Sequence, residues 1–320
     1  MGRKPIKITL GGDDASSEAA EKPFVSRTNT EKQMDALQRK AYLHQKGIDP
    51  NKLFQLDKIF PENMGKRSDL RHIPNDYARS SLFTATNKNQ PRKVMMRKKL
   101  FHYNEFVSII YTGIELRAED DEIVWLQILK YGQGVPLGET FEFSVKDLVR
   151  DVGWAKNGCN YNRVRDCISR LRANDVLALN AKAYGRSGSI CLIGNYEAIN
   201  DEEGKPTTYS TWLDPNLIVL FAGKNFTSHS WEIYRKLSPV ARCLANYVES
   251  HKHPYPLNLE TFQQMCGSQD SDIRNWRRIV KKACAELQEV KITETAMLSK
   301  DDKICCVRYE DHDKSPTLLS

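Results

Sequence analysis

The chain has 320 residues, 40% of them hydrophobic, which suits roughly two domains with a core in each. Its 48 Lys plus Arg exceed 41 Asp plus Glu, a net charge of +7 that favours an acidic partner where it gathers on one surface. The eight cysteines form no Cys-x-x-Cys pair and no Cys/His set at zinc spacing, and the longest apolar stretch, "LIVLFAG", is too short to span a bilayer, so a zinc module, a secreted disulfide scaffold and a membrane protein are set aside for a cytoplasmic chain.

Residues 1–90 are rich in Lys, Asn, Asp, Ser and Gln and show little apolar periodicity beyond a helix expected at "EKQMDALQRKAYLHQKG". They read as a partner-binding arm or linker. A first unit is expected over 91–208. In it "FVSIIYTG" is a strand and "AEDDEIVWLQILKYG" a helix whose Asp120 and Asp121 suit the positive end of its dipole. "PLGETFEFS" follows as a short strand, then "VKDLVRDVGW" as a helix capped by Ser144, then "YNRVRDCISRLRAND" as a longer helix. A hairpin of "VLALNAKAY" and "ICLIGNYE" around "GRSGS" closes the unit.

The same order recurs over 209–312, ahead of a tail at 313–320. Ser238 caps "LSPVARCLANYVESH" with Pro239 in its first turn, "PYPLN" is extended, and "LETFQQMCG" is a short helix. "SDIRNWRRIVKKACAEL" is a longer helix, and "VKITETAML" and "KICCVRYE" form a hairpin. Gly153 and Gly267 end corresponding helices, and Cys167/Leu171 align with Ala283/Leu287. The fold expected is therefore α+β, two tandem winged-helix units, in which the second helix of each pair enters a DNA groove and the hairpin is the wing.

About 100° of turn per residue gathers Trp276, Ile279, Val280, Ala283, Cys284 and Leu287 on one stripe of the last long helix. Ser271, Arg274, Arg277, Arg278, Lys281 and Lys282 lie opposite. Alone this would be a solvated face, but its position in the unit makes it a DNA-reading face. Arg274, Asn275, Arg277 and Arg278 are expected nearest base edges, with Lys281 and Lys282 nearer phosphates. The first unit offers Lys156, Asn157, Asn160, Arg163 and Arg170, with Lys182 and Arg186 on its wing.

No enzyme is expected. "GQGVPLGET" lacks the lysine of a phosphate loop, Lys252 breaks the His251/His253 pair, and Asp120, Asp121 and Glu122 are explained by a helix start without a metal. Neither a cofactor nor a metal site is anticipated.

Longer stretches carry a resemblance. "IPNDYARSSLFTATNK", "YTGIELRAEDDEIVWLQIL", "WEIYRKLSPVARCLANY" and "HPYPLNLETFQQMCGS" closely resemble the TrfA-type plasmid replication initiators, from Ile73 to the end of the second hairpin. The resemblance implies two winged helices that bind directly repeated origin sequences (iterons), open adjacent A+T-rich DNA and help load host helicase. It also implies a monomer–dimer equilibrium that restrains copy number. The opened single strands and the host initiator are further candidate partners. "QLDKIF" is similar to a sliding-clamp ligand through Gln55, Leu56, Ile59 and Phe60, with Lys58 in place of the expected leucine. The rival reading is a tandem winged-helix transcriptional repressor, which needs no recruiting arm. A general RNA- or chromosome-binding protein would instead discriminate weakly among sequences.

Overall fold

The computed structural model describes residues 68–135, 139–180, 188–214, 217–221 and 225–309. The expected helix near residue 40, the clamp-ligand candidates Gln55, Leu56, Ile59 and Phe60, the wing residues Lys182 and Arg186, and the tail lie outside these residues.

The first departure from expectation is that residues 68–90 belong to the fold and not to an arm. Leu70–Pro74 forms β1, paired antiparallel with β11 (Phe226–Ser230), and a single turn, α1 (Asn75–Ala78), follows. Phe83–Thr84, β2, pairs in parallel with β5 (Leu116–Arg117). Ile73, Tyr77, Leu82 and Phe83 are buried, but their spacing follows no single period, so the segment gives no signal of a regular element. The expected division at residue 208/209 is bridged as well, because β10 (Pro206–Thr211) crosses it and β1, ahead of the first repeat, pairs with β11, ahead of the second.

β3 (Val94–Leu100) and β4 (Val107–Ile114) form a hairpin that continues to β7 (Asp175–Asn180) and β8 (Gly188–Ile190) in the order β3-β4-β7-β8. The helix α2 (Asp121–Tyr131) starts at Asp120, whose carboxylate accepts from the Asp121 N–H. Its Ile123, Val124, Trp125, Leu126, Ile128 and Leu129 are all buried, which makes it the central helix of the first repeat.

Next come β6 (Phe141–Ser144), α3 (Val145–Asp151) and α4 (Gly158–Arg172), with Ser144 Oγ capping α3 at the Asp147 N–H, 3.0 Å away. The repeat ends in β9 (Tyr196–Asn200) and β10 (Pro206–Thr211), and its second sheet has the order β6-β10-β9.

A short α5 (Leu217–Phe221), β11 and α6 (Trp231–Tyr234) lead to the second repeat. There α7 (Pro239–Glu249) is capped by Ser238. β12 (Leu257–Asn258), α8 (Leu259–Met265), α9 (Ile273–Glu289), β13 (Thr293–Leu298) and β14 (Lys303–Arg308) follow, with sheet order β12-β14-β13.

Comparing the two sheets corrects the position of the first closing hairpin. In the second repeat the strand before the helix pair, β12, bonds to the last strand, β14. In the first repeat β6 bonds in the same way to β10. The counterpart of β13–β14 is thus β9–β10, and β7–β8, on which the wing was expected, belongs to the sheet of β3 and β4. Two hairpins in succession carry equal turn signals, and only the pairing of β6 separates them.

The repeats meet closely. The Ala85 N–H donates to the Cys266 carbonyl, 2.8 Å, and an added Cβ at Gly267 would lie 2.6 Å from Thr84 Cγ2. Glu122 of α2 accepts from Tyr234 Oη, 2.8 Å, and from Asn246 Nδ2, 2.9 Å. Trp231 Nε1 donates to the Asp151 carbonyl, 2.8 Å.

Candidate nucleic-acid interface

The helix α9 is built as an amphipathic bar. Asp272 caps it, accepting from the Arg274 N–H at 2.9 Å. Trp276, Val280, Ala283, Cys284 and Leu287 are buried and Ile279 packs against them, as the apolar stripe requires. Trp276 lies 5.9 Å from the Phe262 ring of α8, fixing the angle between the two helices. Ser271, Arg274, Arg278, Lys281 and Lys282 are exposed. Arg278 donates to Asn275 Oδ1, 2.7 Å, and Asn275 in turn donates to Asp270. Among the described residues no carboxylate forms an ion pair with this row, so its field points outward.

Arg277 differs. It makes a two-point contact with Asp302 of the β13–β14 turn, at 2.8 and 2.6 Å. The pair ties that turn to α9, and each partner is held in its charged form: Asp302 below the usual carboxylate range by the Arg277 hydrogen bond, Arg277 above its own by the same bond. Arg277 is therefore a strut. Asp302 has φ 54°, and in the sequence "SKDD" reads only as a turn, with no local signal of this contact.

The first repeat is arranged otherwise. Asn157 caps α4, its Oδ1 accepting from the Asn160 N–H at 2.8 Å, and Asn160 donates to the Ala155 carbonyl, 2.8 Å. Lys156 and Asn157 are exposed beside this helix start. Arg163 lies over the Trp154 ring, 4.2 Å from its centroid, and within 3.4 Å of Glu119 and 3.7 Å of Asp120. Arg170 does not face outward. Its guanidinium lies 2.9 Å from Asp121 and 3.6 Å from Asp120, beside Arg92, which reaches the same two carboxylates at 2.6 and 2.7 Å. Arg170 therefore leaves the expected DNA-contact set.

The repeat itself explains this placement. Val164, Cys167, Ile168 and Leu171 are buried as Val280, Ala283, Cys284 and Leu287 are. That register sets Arg170 opposite Glu286, whose carboxylate accepts from the Ser238 N–H at the start of α7, 3.0 Å away. The position faces the first helix of its repeat in both cases. The same register sets Asn162, Arg165 and Asp166 where α9 has Arg278, Lys281 and Lys282. Arg165 is tied to the Pro206 carbonyl of β10, 2.8 Å, and to Asn162, 2.9 Å. The outward row of α4 is thus close to neutral.

Asp120, Asp121 and Cys167 offer three ligand atoms within 4.8 Å of one another. Their chemistry fits paired guanidiniums better than a cation. Burial, then the neighbouring Asp120, pushes Asp121 up to about 6. Burial would raise Asp120 too, but Arg92, ahead of Arg170 and Arg163, holds it below the usual range. Burial keeps the Cys167 thiol protonated, and Arg170 lies 3.2 Å from its sulfur.

These features define a mixed α+β protein made of two helix, strand, helix-pair and hairpin repeats, of which the second presents a row of basic residues that form no ion pair with a described residue. Residues 27–308 match the TrfA protein family, and the chain belongs to it. It is similar to the plasmid replication initiator protein TrfA of Escherichia coli, with 42% identity over 239 residues, 75% of this chain. The chain spans 62% of that relative's length. Among solved structures, domains 2 and 3 of RctB superpose with a TM-score of 0.51 at 14% identity, over 75% of this chain and 99% of that one, a likeness of fold. A second structure of RctB domains 2 and 3 gives 0.46 at 15% identity, over 71% and 95%. Among the described residues no helix is long and apolar enough to cross a membrane.

Proposed function

We propose that this chain is a cytoplasmic plasmid replication initiator whose repeats are tandem winged helices, and that it binds double-stranded iteron repeats at an origin. The observation that carries the reading is the exposed row Arg274, Arg278, Lys281 and Lys282, without an ion pair among the described residues, on the second helix of a helix pair in a chain of this family. On this reading α9 lies in the major groove. Ser271, Arg274, Asn275 and Arg278 approach bases and Lys281 and Lys282 approach phosphates, while Arg277 holds the wing. Lys156, Asn157 and Asn160 of the first repeat add a lesser contact, with the exposed part of Arg163 beside them.

Such a protein works by binding and deforming DNA, with no catalytic site or cofactor. It opens A+T-rich DNA beside the repeats and recruits host helicase, host initiator and sliding clamp, the last through "QLDKIF". A monomer–dimer equilibrium restrains it. Opening costs on the order of 1.4 kcal/mol of stacking per step, within reach only of several copies bound together.

The test is permanganate reactivity of thymines beside a repeat array on supercoiled plasmid, with host initiator present. The full chain is compared with a version lacking residues 1–67, a limit that spares β1. Opening by both chains, with helicase recruitment lost in the shorter one, is expected. Saturated binding without reactive thymines would leave the transcriptional repressor as the better reading.

A further inference from the structure

β3 is the edge strand of its sheet, and its surface is of an unusual kind. Val94 is 81% exposed and Met96 77%, the two most exposed large hydrophobic residues described, and Val94 stands opposite Ile114 in the ladder. Beside them Arg97, Lys98 and Lys99 are exposed and form no ion pair with a described residue. Lysines on an edge strand commonly prevent unwanted strand pairing, and the bulge at Arg97, φ 46°, does the same. That purpose explains the lysines but not the two bare apolar side chains that precede them in the strand.

The β9–β10 hairpin has the complementary character. Ile199 is 64% exposed and Glu197, two residues earlier, shares its side of the strand. The tip adds exposed Asp201, Glu202 and Glu203 against Lys205 alone. Asp201 is occupied in shaping the turn, its Oδ1 accepting from the N–H groups of Glu203, 3.0 Å, and Lys205, 2.8 Å. A hairpin with this charge is repelled by phosphate, although its place in the repeat is that of the basic-flanked β13–β14 hairpin.

We propose that the β3 edge of one copy receives the acidic β9–β10 hairpin of a second copy on the neighbouring DNA repeat. The proposal rests on the iteron-binding reading above. Sites repeated in one direction place every copy in the same relation to the next. Two different surfaces can then meet head to tail along the row, without the self-complementary patch that a two-fold dimer needs. Ile199 covers Val94 and Met96, and Glu197 and Glu202 meet Lys98 and Lys99. The bulge at Arg97 makes this a contact of side chains and not an added strand.

The test uses the full chain and a duplex site selected from random sequence, presented as one copy or as two in tandem. Lys98→Glu with Lys99→Glu, and separately Glu197→Lys with Glu202→Lys, should each bind one site within about threefold of the parent and lose about tenfold in cooperativity on two. A chain carrying all four changes should regain that cooperativity. Undiminished cooperativity in both pair variants, or no recovery in the fourfold variant, overturns the contact. Loss of single-site affinity in the lysine variant alone assigns β3 to phosphate and overturns it as well. A parent chain that selects no sequence overturns the initiator reading itself, and the contact falls with it.

Discussion

Gly267 is the point where the second helix pair touches the other repeat, and Gly267→Ala should be costly for two separable reasons. Its φ of +60° disfavours any Cβ, by about 1–2 kcal/mol. The new Cβ would also meet Thr84, 2.6 Å from Cγ2 and 3.0 Å from Cβ. Thr84 cannot rotate freely, because its hydroxyl donates to buried Glu115 at 2.6 Å, so overpacking adds about 1–3 kcal/mol. The total is about 2–5 kcal/mol. Thr84→Ser keeps the hydroxyl and removes the clashing methyl, which isolates the steric part. Urea denaturation of parent, both single variants and the double variant gives the coupling, and the double variant should recover about 1–2 kcal/mol. Strict additivity would mean that Thr84 does not press on Gly267 and that the contact between the repeats is looser than these distances imply.

Lys281→Ala with Lys282→Ala should flatten the dependence of log affinity on log salt by about 1.8 and weaken all sequences alike, whereas Arg278→Ala should lose about 1–3 kcal/mol of discrimination at one base pair; equal effects on every sequence from both would refute the division of roles. Arg170→Met, which leaves Asp121 to Arg92 and Asp120 to Arg92 and the more distant Arg163, should cost about 1–3 kcal/mol in denaturation and leave the salt dependence of DNA binding unchanged; a normal stability with weakened binding would return Arg170 to the interface. Burial, then the Lys130 charge, pushes His72 down to about 4, so the unfolded chain takes up its proton first and stability is lost as pH falls from 6.5 towards 4. Its share is about 2 kcal/mol between pH 7.5 and pH 5, and His72→Gln should show a correspondingly shallower loss in chemical denaturation at the two pH values.

Much of the helical framework was legible because its signals are local. Ser144 and Ser238 cap the helices expected of them, and the stripe from Trp276 to Leu287 is buried as its period requires. β3 was not legible, since "VMMRKKL" has no period-two alternation and is exposed at most of its positions. β1 and β2 are short, and their partners β11 and β5 lie about 150 and 30 residues along the chain, beyond the reach of any local pattern. The choice between two consecutive hairpins depended on a long-range pairing, that of β6 with β10. Arg170 is the instructive error. A helical wheel places it on a flank, and only the equivalent Glu286, bonded to the start of α7, shows that this flank faces inward.

The same register also explains why the two repeats do not present equal basic faces. In the first repeat the arginines at the inner flank of α4 face an acidic helix start, Glu119, Asp120 and Asp121, and the outward row Asn162, Arg165 and Asp166 carries little net charge. In the second the inner position is Glu286, the helix start carries Ser238 and no carboxylate in its first turn, and the positive charge stands outward. Exchanging the sign at this half-buried position goes with a change at the helix start it faces, from carboxylates that meet Arg170 to a backbone N–H that meets Glu286. Once Asp120 and Asp121 occupy the start of α2, Arg170 is bound to them and is no longer available for phosphate. On the proposed initiator reading, electrostatic attraction to DNA then falls chiefly to α9, and the first repeat is left with an acidic hairpin that suits contact with protein better than contact with a phosphate backbone.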